Sequence, residues 1–105
     1  MSRDNNRLLL ELEQYRRETN REKIDPLLSP VDVKTLDPIV RTCANARAAY
    51  ISCLISIATD SEESTPSAKQ IEQLKMHRIT YEELVSAANA LETVIARGYV
   101  AAKES

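Results

Sequence analysis

The sequence predicts an all-α fold: an antiparallel helical bundle of three long helices with a proline-containing connector. The 105 residues include a single glycine, whereas hairpins and tight turns of β-proteins consume many. Aromatic residues make up 4% of the chain and all are tyrosines, so the core must be aliphatic, as helix packing allows. Apolar residues also recur at steps of three and four, the spacing of one helical face. A chain of this length suits one domain, which we expect to span residues 1–105.

The first helix is expected over residues 5–20. Leu8, Leu12 and Tyr15 form its main apolar stripe, because they follow one another at steps of four and three. Leu10 points away from that stripe and is therefore a candidate contact with another subunit.

The connector is expected over residues 24–37, which contain Pro26 and a second proline, while Pro38 follows directly. One long helix should not pass through such a run, because each proline removes a backbone donor and clashes with the preceding turn. The motif SPVD at residues 29–32 is typical of a cap followed by one short turn, about residues 30–36. The apolar residues of this connector should pack on the bundle.

The central helix is expected over residues 38–59, with Asp37 as its N-cap and Pro38 at its first position. Two apolar stripes run along it. The first stripe consists of Leu36, Ile39, Cys43, Ala46, Tyr50, Cys53 and Ile57. The second stripe consists of Val40, Ala44, Ala48 or Arg47, Ile51, Leu54 or Ile55, and Ala58. A helix this apolar should be contacted on at least two sides, yet it is too interrupted by charges to read as membrane-spanning.

The last helix is expected over residues 66–102, after a polar loop. Two caps are available, Thr65 followed by a proline, or a capping box of Ser67 and Gln70. Its stripe consists of Ile71, Leu74, Arg78, Tyr81, Val85, Ala88, Leu91, Ile95, Gly98 and Ala102. An internal capping pattern at Thr80 leaves open a break there, which would give four helices, but one continuous helix is favoured. Its length of about 55 Å would exceed the roughly 33 Å of the central helix, so its far half should meet the first helix or another copy.

No catalytic, cofactor-binding or metal-binding residue is predicted, and we expect a protein that is not an enzyme. His77 is the only histidine, whereas zinc and di-iron sites need several ligands or repeated Glu-x-x-His motifs. Cys43 lies in the first stripe and should be a core thiol. Glu82 and Glu83, like the pair at residues 62–63, are sequence neighbours; on a helix such residues point about 100° apart.

The net charge and the two cysteines limit the cellular compartment and the kinds of partner that we expect. The net charge is −2, from 14 basic and 16 acidic residues. No signal segment is evident, and two unpaired thiols favour a reducing, cytoplasmic compartment. The N-terminal third is the most basic part, so an alternative function is a nucleic-acid-binding regulator. Its candidate phosphate contacts are Arg16, Arg17, Arg21 and Lys23.

The favoured function is a non-enzymatic helical protein-interaction module: an oligomeric adaptor, assembly or chaperone-like protein. The chain carries more apolar residues than one intramolecular stripe needs, and such an excess marks interfaces. The partners expected are the chain itself, as a dimer or higher oligomer, and another protein, with no membrane and with nucleic acid disfavoured. The candidate interaction surface consists of Leu10, Ile55, Val94, Tyr99 and Val100.

Overall fold

The computed structural model describes residues 2–28, 30–62 and 64–103. It contains α1 (Arg3–Leu28), α2 (Val33–Ser61) and α3 (Ala68–Ala96), and no strand within those ranges. The all-α prediction is therefore confirmed. The chain forms two compact units, a terminal unit of Met1–Thr35 and Ala90–Ser105 and a hairpin unit of Leu36–Asn89. Two predicted features fall partly outside the described residues, the cap at Ser29 and the carboxylate pair at Glu63.

Helix α1 is longer than the sequence predicted. It continues past residue 20 to Leu28 and contains Pro26. The expectation that a long helix could not include this proline was wrong, because only two helical residues follow Pro26. A proline so near the C-terminal end disturbs only the last turn.

Helix α2 begins at Val33, five residues before the predicted start, with Pro38 inside it. Asp32 is the N-cap: the backbone N–H and the hydroxyl of Thr35 both donate to its Oδ1, at 2.8 and 2.7 Å. These hydrogen bonds, the hydroxyl first, hold the pKa of the Asp32 carboxyl below its usual value. Asp37 is therefore not the cap. Its Oδ2 instead accepts a hydrogen bond from Nε of Arg41 at 2.8 Å, in an exposed ion pair.

Helix α3 begins with the capping box formed by Ser67 and Gln70. The Gln70 N–H donates to Ser67 Oγ at 3.1 Å, and the Ser67 N–H donates to Gln70 Oε1 at 2.8 Å. The helix runs unbroken through Thr80, as favoured. The Thr80 hydroxyl bonds back to the carbonyl oxygen of Met76 at 3.0 Å, so it is satisfied inside the helix and caps nothing.

Helix α3 ends at Ala96, six residues before the predicted end. Gly98 has φ +74°, a conformation that glycine adopts without steric cost. The Gly98 N–H donates to the carbonyl of Ile95, and the Tyr99 N–H to that of Val94, each at 3.0 Å. This is a Schellman motif, which satisfies the last carbonyls and turns the chain out of the helix.

The residues after Gly98 close the terminal unit as a clasp, which we define as the pairing of residues 99–103 with Val31. The Val31 N–H donates to the carbonyl of Ala101 at 3.0 Å, and the Lys103 N–H donates to that of Val31 at 2.7 Å. A parallel β-bridge of Val31 with Ala102 results. Val31 is 4% exposed, so the connector packs on its own chain at this point, as expected.

The hairpin unit pairs α2 with α3 in antiparallel order. The Cys43 thiol lies 3.7 Å from the carbonyl oxygen of Leu84, whereas Ser61, farther along α2, contacts Gln70, near the start of α3. Among the described residues of this unit, Ile57 is the one apolar side chain that is buried, at 5% exposure. Two helices can bury only one face of each other, so the other faces remain in solvent.

Candidate interaction surface

From Cys43 to Ile57, the first stripe of α2 is the face that α3 covers, whereas Ile39 near its start is exposed. Cys43, Ala46, Tyr50 and Cys53 are half-buried and Ile57 is buried. The rings of Tyr50 and Tyr81 pack with centroids 6.1 Å apart and planes tilted by 38°, a favourable aromatic geometry. The expectation that Cys43 is a core thiol agrees with this packing, since Cys43 lies on the covered face.

The second stripe of α2 is exposed along its whole length. Val40 is 64% exposed, Ile51 and Leu54 are 48% exposed, and Ile55 is 60% exposed. Ala44, Ala48 and Ala58 lie between them and are exposed as well. These residues form one continuous apolar band, and bands of this kind are typical of interaction sites.

Arg47 is the one charged residue between Thr42 and Thr59, and α3 holds its head. Its Nε and Nη2 both lie within donor distance of the Tyr81 hydroxyl oxygen, at 3.0 and 2.6 Å. The guanidinium carbon also stands 5.3 Å from the centre of the Tyr81 ring, a cation–π contact. The charge therefore lies at the edge of the second stripe, towards α3, and only the aliphatic stem borders the apolar band.

The residues proposed from sequence for the interaction surface belong to both units and differ widely in exposure. Leu10 is 72% exposed on α1 and Ile55 is exposed on α2, whereas Val94 is half-buried. Tyr99 and Val100 are only 7% and 6% exposed. Their placement on a helix surface was wrong, because the Schellman motif ends α3 before them and turns them into the clasp.

Tyr99 is held by polar contacts as well as by packing. A hydrogen bond from Arg97 and a second from Asn20 lower the pKa of the Tyr99 phenol. The hydrogen bond between Arg97 and Tyr99 also raises the pKa of Arg97. Arg21 donates from Nε to the Gly98 carbonyl at 3.2 Å. These contacts tie the turn after α3 to α1.

The four cations proposed as phosphate contacts do not share one face of α1. At 100° per residue, Arg16 and Lys23 lie on one side, and Arg17 and Arg21 lie on the other. Arg16 also pairs with Glu13 at 3.7 Å. Acidic neighbours and this division leave no single basic patch on the helix.

A groove between α2 and α3 brings together two residues that sequence reasoning treated separately, Cys53 and His77. It is also lined by Ala49, Ser52, Ser56, Gln73 and Met76. Cysteine catalysis needs an electropositive setting and an oriented base, and no charged side chain lines this groove. Only the tertiary pairing of the two helices reveals it, since 24 positions separate these residues in sequence.

Within the described ranges, no cluster of three or more histidine, cysteine or acidic side chains is arranged to hold a metal ion. Nor does any helix there combine the length and apolar character that crossing a bilayer requires.

The whole chain was compared with protein-family models, curated proteins and solved structures, and none of the three comparisons gave a significant match.

Proposed function

We propose that this chain is a non-enzymatic helical protein-interaction module that associates with itself through the second stripe of α2. Its class is that of an oligomeric adaptor, assembly or chaperone-like protein. The observation that carries the proposal is the exposure of Val40, Ile51, Leu54 and Ile55 along one face of a well-formed helix.

Burial of the second stripe provides the driving force. Each of these half-exposed aliphatic side chains gains about 1 kcal/mol when a partner covers it, half the value for full burial. Two copies contribute twice the set. The contact of the Arg47 guanidinium with Tyr81 reduces the desolvation cost of burying the second stripe, because the charge already has a hydrogen-bond acceptor on α3.

Sedimentation equilibrium or light scattering tests the proposal directly. We expect a mass above the chain mass of 11.8 kDa at micromolar concentration, rising as the protein is concentrated. The Ile51→Glu substitution places a charge in the middle of the second stripe and should weaken association by roughly 100-fold or more, as an unpaired buried charge costs at least 3 kcal/mol.

Asn45→Glu is the matched control, because Asn45 is exposed on the same helix about 120° around from Ile51. It should leave the mass unchanged. A wild-type chain that stays monomeric across the concentration series would contradict the proposal, and so would equal effects of the two substitutions.

A nucleic-acid-binding regulator is the alternative function, with Arg16, Arg17, Arg21 and Lys23 as phosphate contacts. The division of these cations between two sides of α1 gives it less support. It requires binding to nucleic acid that weakens steeply as salt rises, and a titration at low salt that shows no binding would eliminate it.

A further inference from the structure

We propose that the partner of the second stripe is the second stripe of another copy of this chain, running antiparallel, so that two α2 helices form a two-fold symmetric seam. This inference rests on the proposed function and adds the partner, the direction and the register. Three features of α2 support it: the spacing of the second stripe, its pattern of residue sizes, and the position of Arg47, the one charged residue between Thr42 and Thr59.

The spacing of the second stripe is that of a coiled-coil seam. Its positions alternate in steps of four and three over 19 residues, at Val40, Ala44, Arg47, Ile51, Leu54 and Ala58. Such a heptad pattern keeps one edge of a helix against a partner helix, side chains of each fitting between those of the other. The first stripe has the same spacing and α3 already covers it, so the second stripe is a second seam on the same helix.

The sizes along the second stripe match themselves when one copy is reversed. Antiparallel pairing about its midpoint places Val40 opposite Ala58 of the other copy, and Ala44 opposite Leu54. In these two layers a large side chain meets a small one, which is the arrangement that lets two surfaces interlock, and the middle layer pairs Ile51 with the aliphatic stem of Arg47. Parallel pairing would set Leu54 against Leu54 and Ala44 against Ala44, so that the layer of two alanines would be left poorly filled.

The charge of Arg47 selects the same direction. In the antiparallel register, Arg47 lies opposite Ile51 of the other copy, and its head remains on Tyr81. In a parallel register, the two Arg47 side chains would share one layer of the seam, so the two positive charges would lie closer together than in the antiparallel register, and like charges at an interface oppose association. Since no other residue from Thr42 to Thr59 is charged, nothing else on this stretch offsets that repulsion.

The symmetry of the seam closes it. A two-fold interface uses the same surface on both chains, so the pairing satisfies both second stripes at once. The apolar band lies between two charged residues of α2, Asp37 before Val40 and Asp60 after Ala58.

Cysteine cross-linking tests direction and register. In a background with Cys43→Ala and Cys53→Ala, Val40→Cys and Ala58→Cys are prepared separately and then mixed in equal amounts. A short bifunctional thiol reagent should join the mixed pair into a covalent dimer, and neither variant alone should be joined above background. Ala48→Cys, near the two-fold axis, should join to its own copy, whereas Ala49→Cys on the opposite flank should not.

The outcomes separate this inference from the proposed function. Cross-linking of Val40→Cys to itself would show a parallel seam and overturn the inference. A chain that is dimeric in solution but joins at none of these positions would also overturn it, placing the interface elsewhere, for example at Leu8, Leu12 and Tyr15 of α1, and would leave the self-association itself standing. A monomer would overturn both. Circular dichroism of each variant verifies that α2 and α3 are intact, and sedimentation of Ile51→Glu supplies a second readout that needs no cysteine.

Discussion

The clasp of the terminal unit and the second stripe of the hairpin unit differ in the exposure of their apolar residues, although α1 of the terminal unit also exposes Leu8, Leu12 and Tyr15. In the terminal unit, Val31, Tyr99 and Val100 come from distant parts of the sequence and are buried, at 4%, 7% and 6% exposure. In the hairpin unit, Ile57 is the buried apolar residue among those described, and Ile55, two residues earlier on the same helix, is 60% exposed.

The physical origin of this difference is the number of sides from which each region is contacted. The residues of the clasp are contacted from several sides. Gly98 turns the chain out of α3, so that residues 99–103 pair with Val31 and the turn is hydrogen-bonded to α1. The hairpin consists of two helices, and each can cover only one stripe of the other. Exposure of apolar residues in the hairpin therefore follows from its architecture, and a second copy is what completes it in our proposal.

The comparison within α2 is tested by the isoleucine pair. Ile57→Ala should lower the free energy of unfolding by about 2–5 kcal/mol, since it removes a buried side chain and leaves a cavity. Ile55→Ala should cost less than about 0.5 kcal/mol in dilute solution, as surface substitutions do, while weakening self-association. Urea unfolding at several protein concentrations measures both effects. If Ile55→Ala is as costly as Ile57→Ala in the most dilute samples, the second stripe is covered within the single chain and the comparison fails.

The clasp is tested at Gly98. Gly98→Ala should lower the free energy of unfolding by about 1–2 kcal/mol, the cost of a left-handed conformation for a residue with a side chain. Strain rather than collision is the cause, because an added Cβ would lie 3.7 Å from Nη2 of Arg21, an ordinary contact distance. Amide hydrogen exchange should accelerate at Val31 and Lys103, whose N–H groups the clasp holds.

Gly98→Asn is the matched control for the clasp, since asparagine tolerates the left-handed region better, and it should be less destabilising than Gly98→Ala. Self-association should be the same in both variants. A change of oligomeric mass would show that the clasp takes part in the interface.

The smallest expected effect concerns acid. The carboxyl of Asp32 has a lowered pKa because Thr35 donates two hydrogen bonds and Lys103 lies 3.9 Å away. A carboxyl with a lowered pKa stabilises the folded state above its unfolded pKa of about 3.9 and loses that contribution as pH falls through the folded value. Asp32→Asn should therefore reduce the difference between the free energies of unfolding at pH 7 and in strongly acidic solution, both measured by urea unfolding. An Asp32→Asn variant that shows the same difference in unfolding free energy between the two pH values as the unsubstituted chain would exclude Asp32 as the source.

Local sequence rules predicted a good part of this fold. The scarcity of glycine and the helical spacing indicated three helices, and both apolar stripes of α2 were visible in the sequence. The capping box at Ser67 and the continuity of α3 through Thr80 also agree with the structure. These features depend on neighbours three or four residues apart, which sequence displays directly.

The errors arose where two local rules competed or where distant segments met. Proline rules suggested a break at Pro26, but the penalty is small when only two helical residues follow. Asp32 and Asp37 are both plausible caps, and the hydrogen bonds of Thr35 decide for Asp32. Tyr99 and Val100 have the pattern of surplus surface residues because no local signal indicates that Val31 pairs with the chain beyond them.

By itself, the sequence determined the helical class, the two apolar stripes of α2 and the presence of a single charged residue between Thr42 and Thr59. Periodicity and composition are properties of a single segment, so they can be read without the tertiary structure. Only the tertiary structure decided which stripe α3 covers, that Arg47 turns to Tyr81, and that the clasp buries the C-terminal tyrosine and valine. Those outcomes depend on contacts between residues that lie tens of positions apart, and the free energy of such contacts is set by geometry that no local pattern contains.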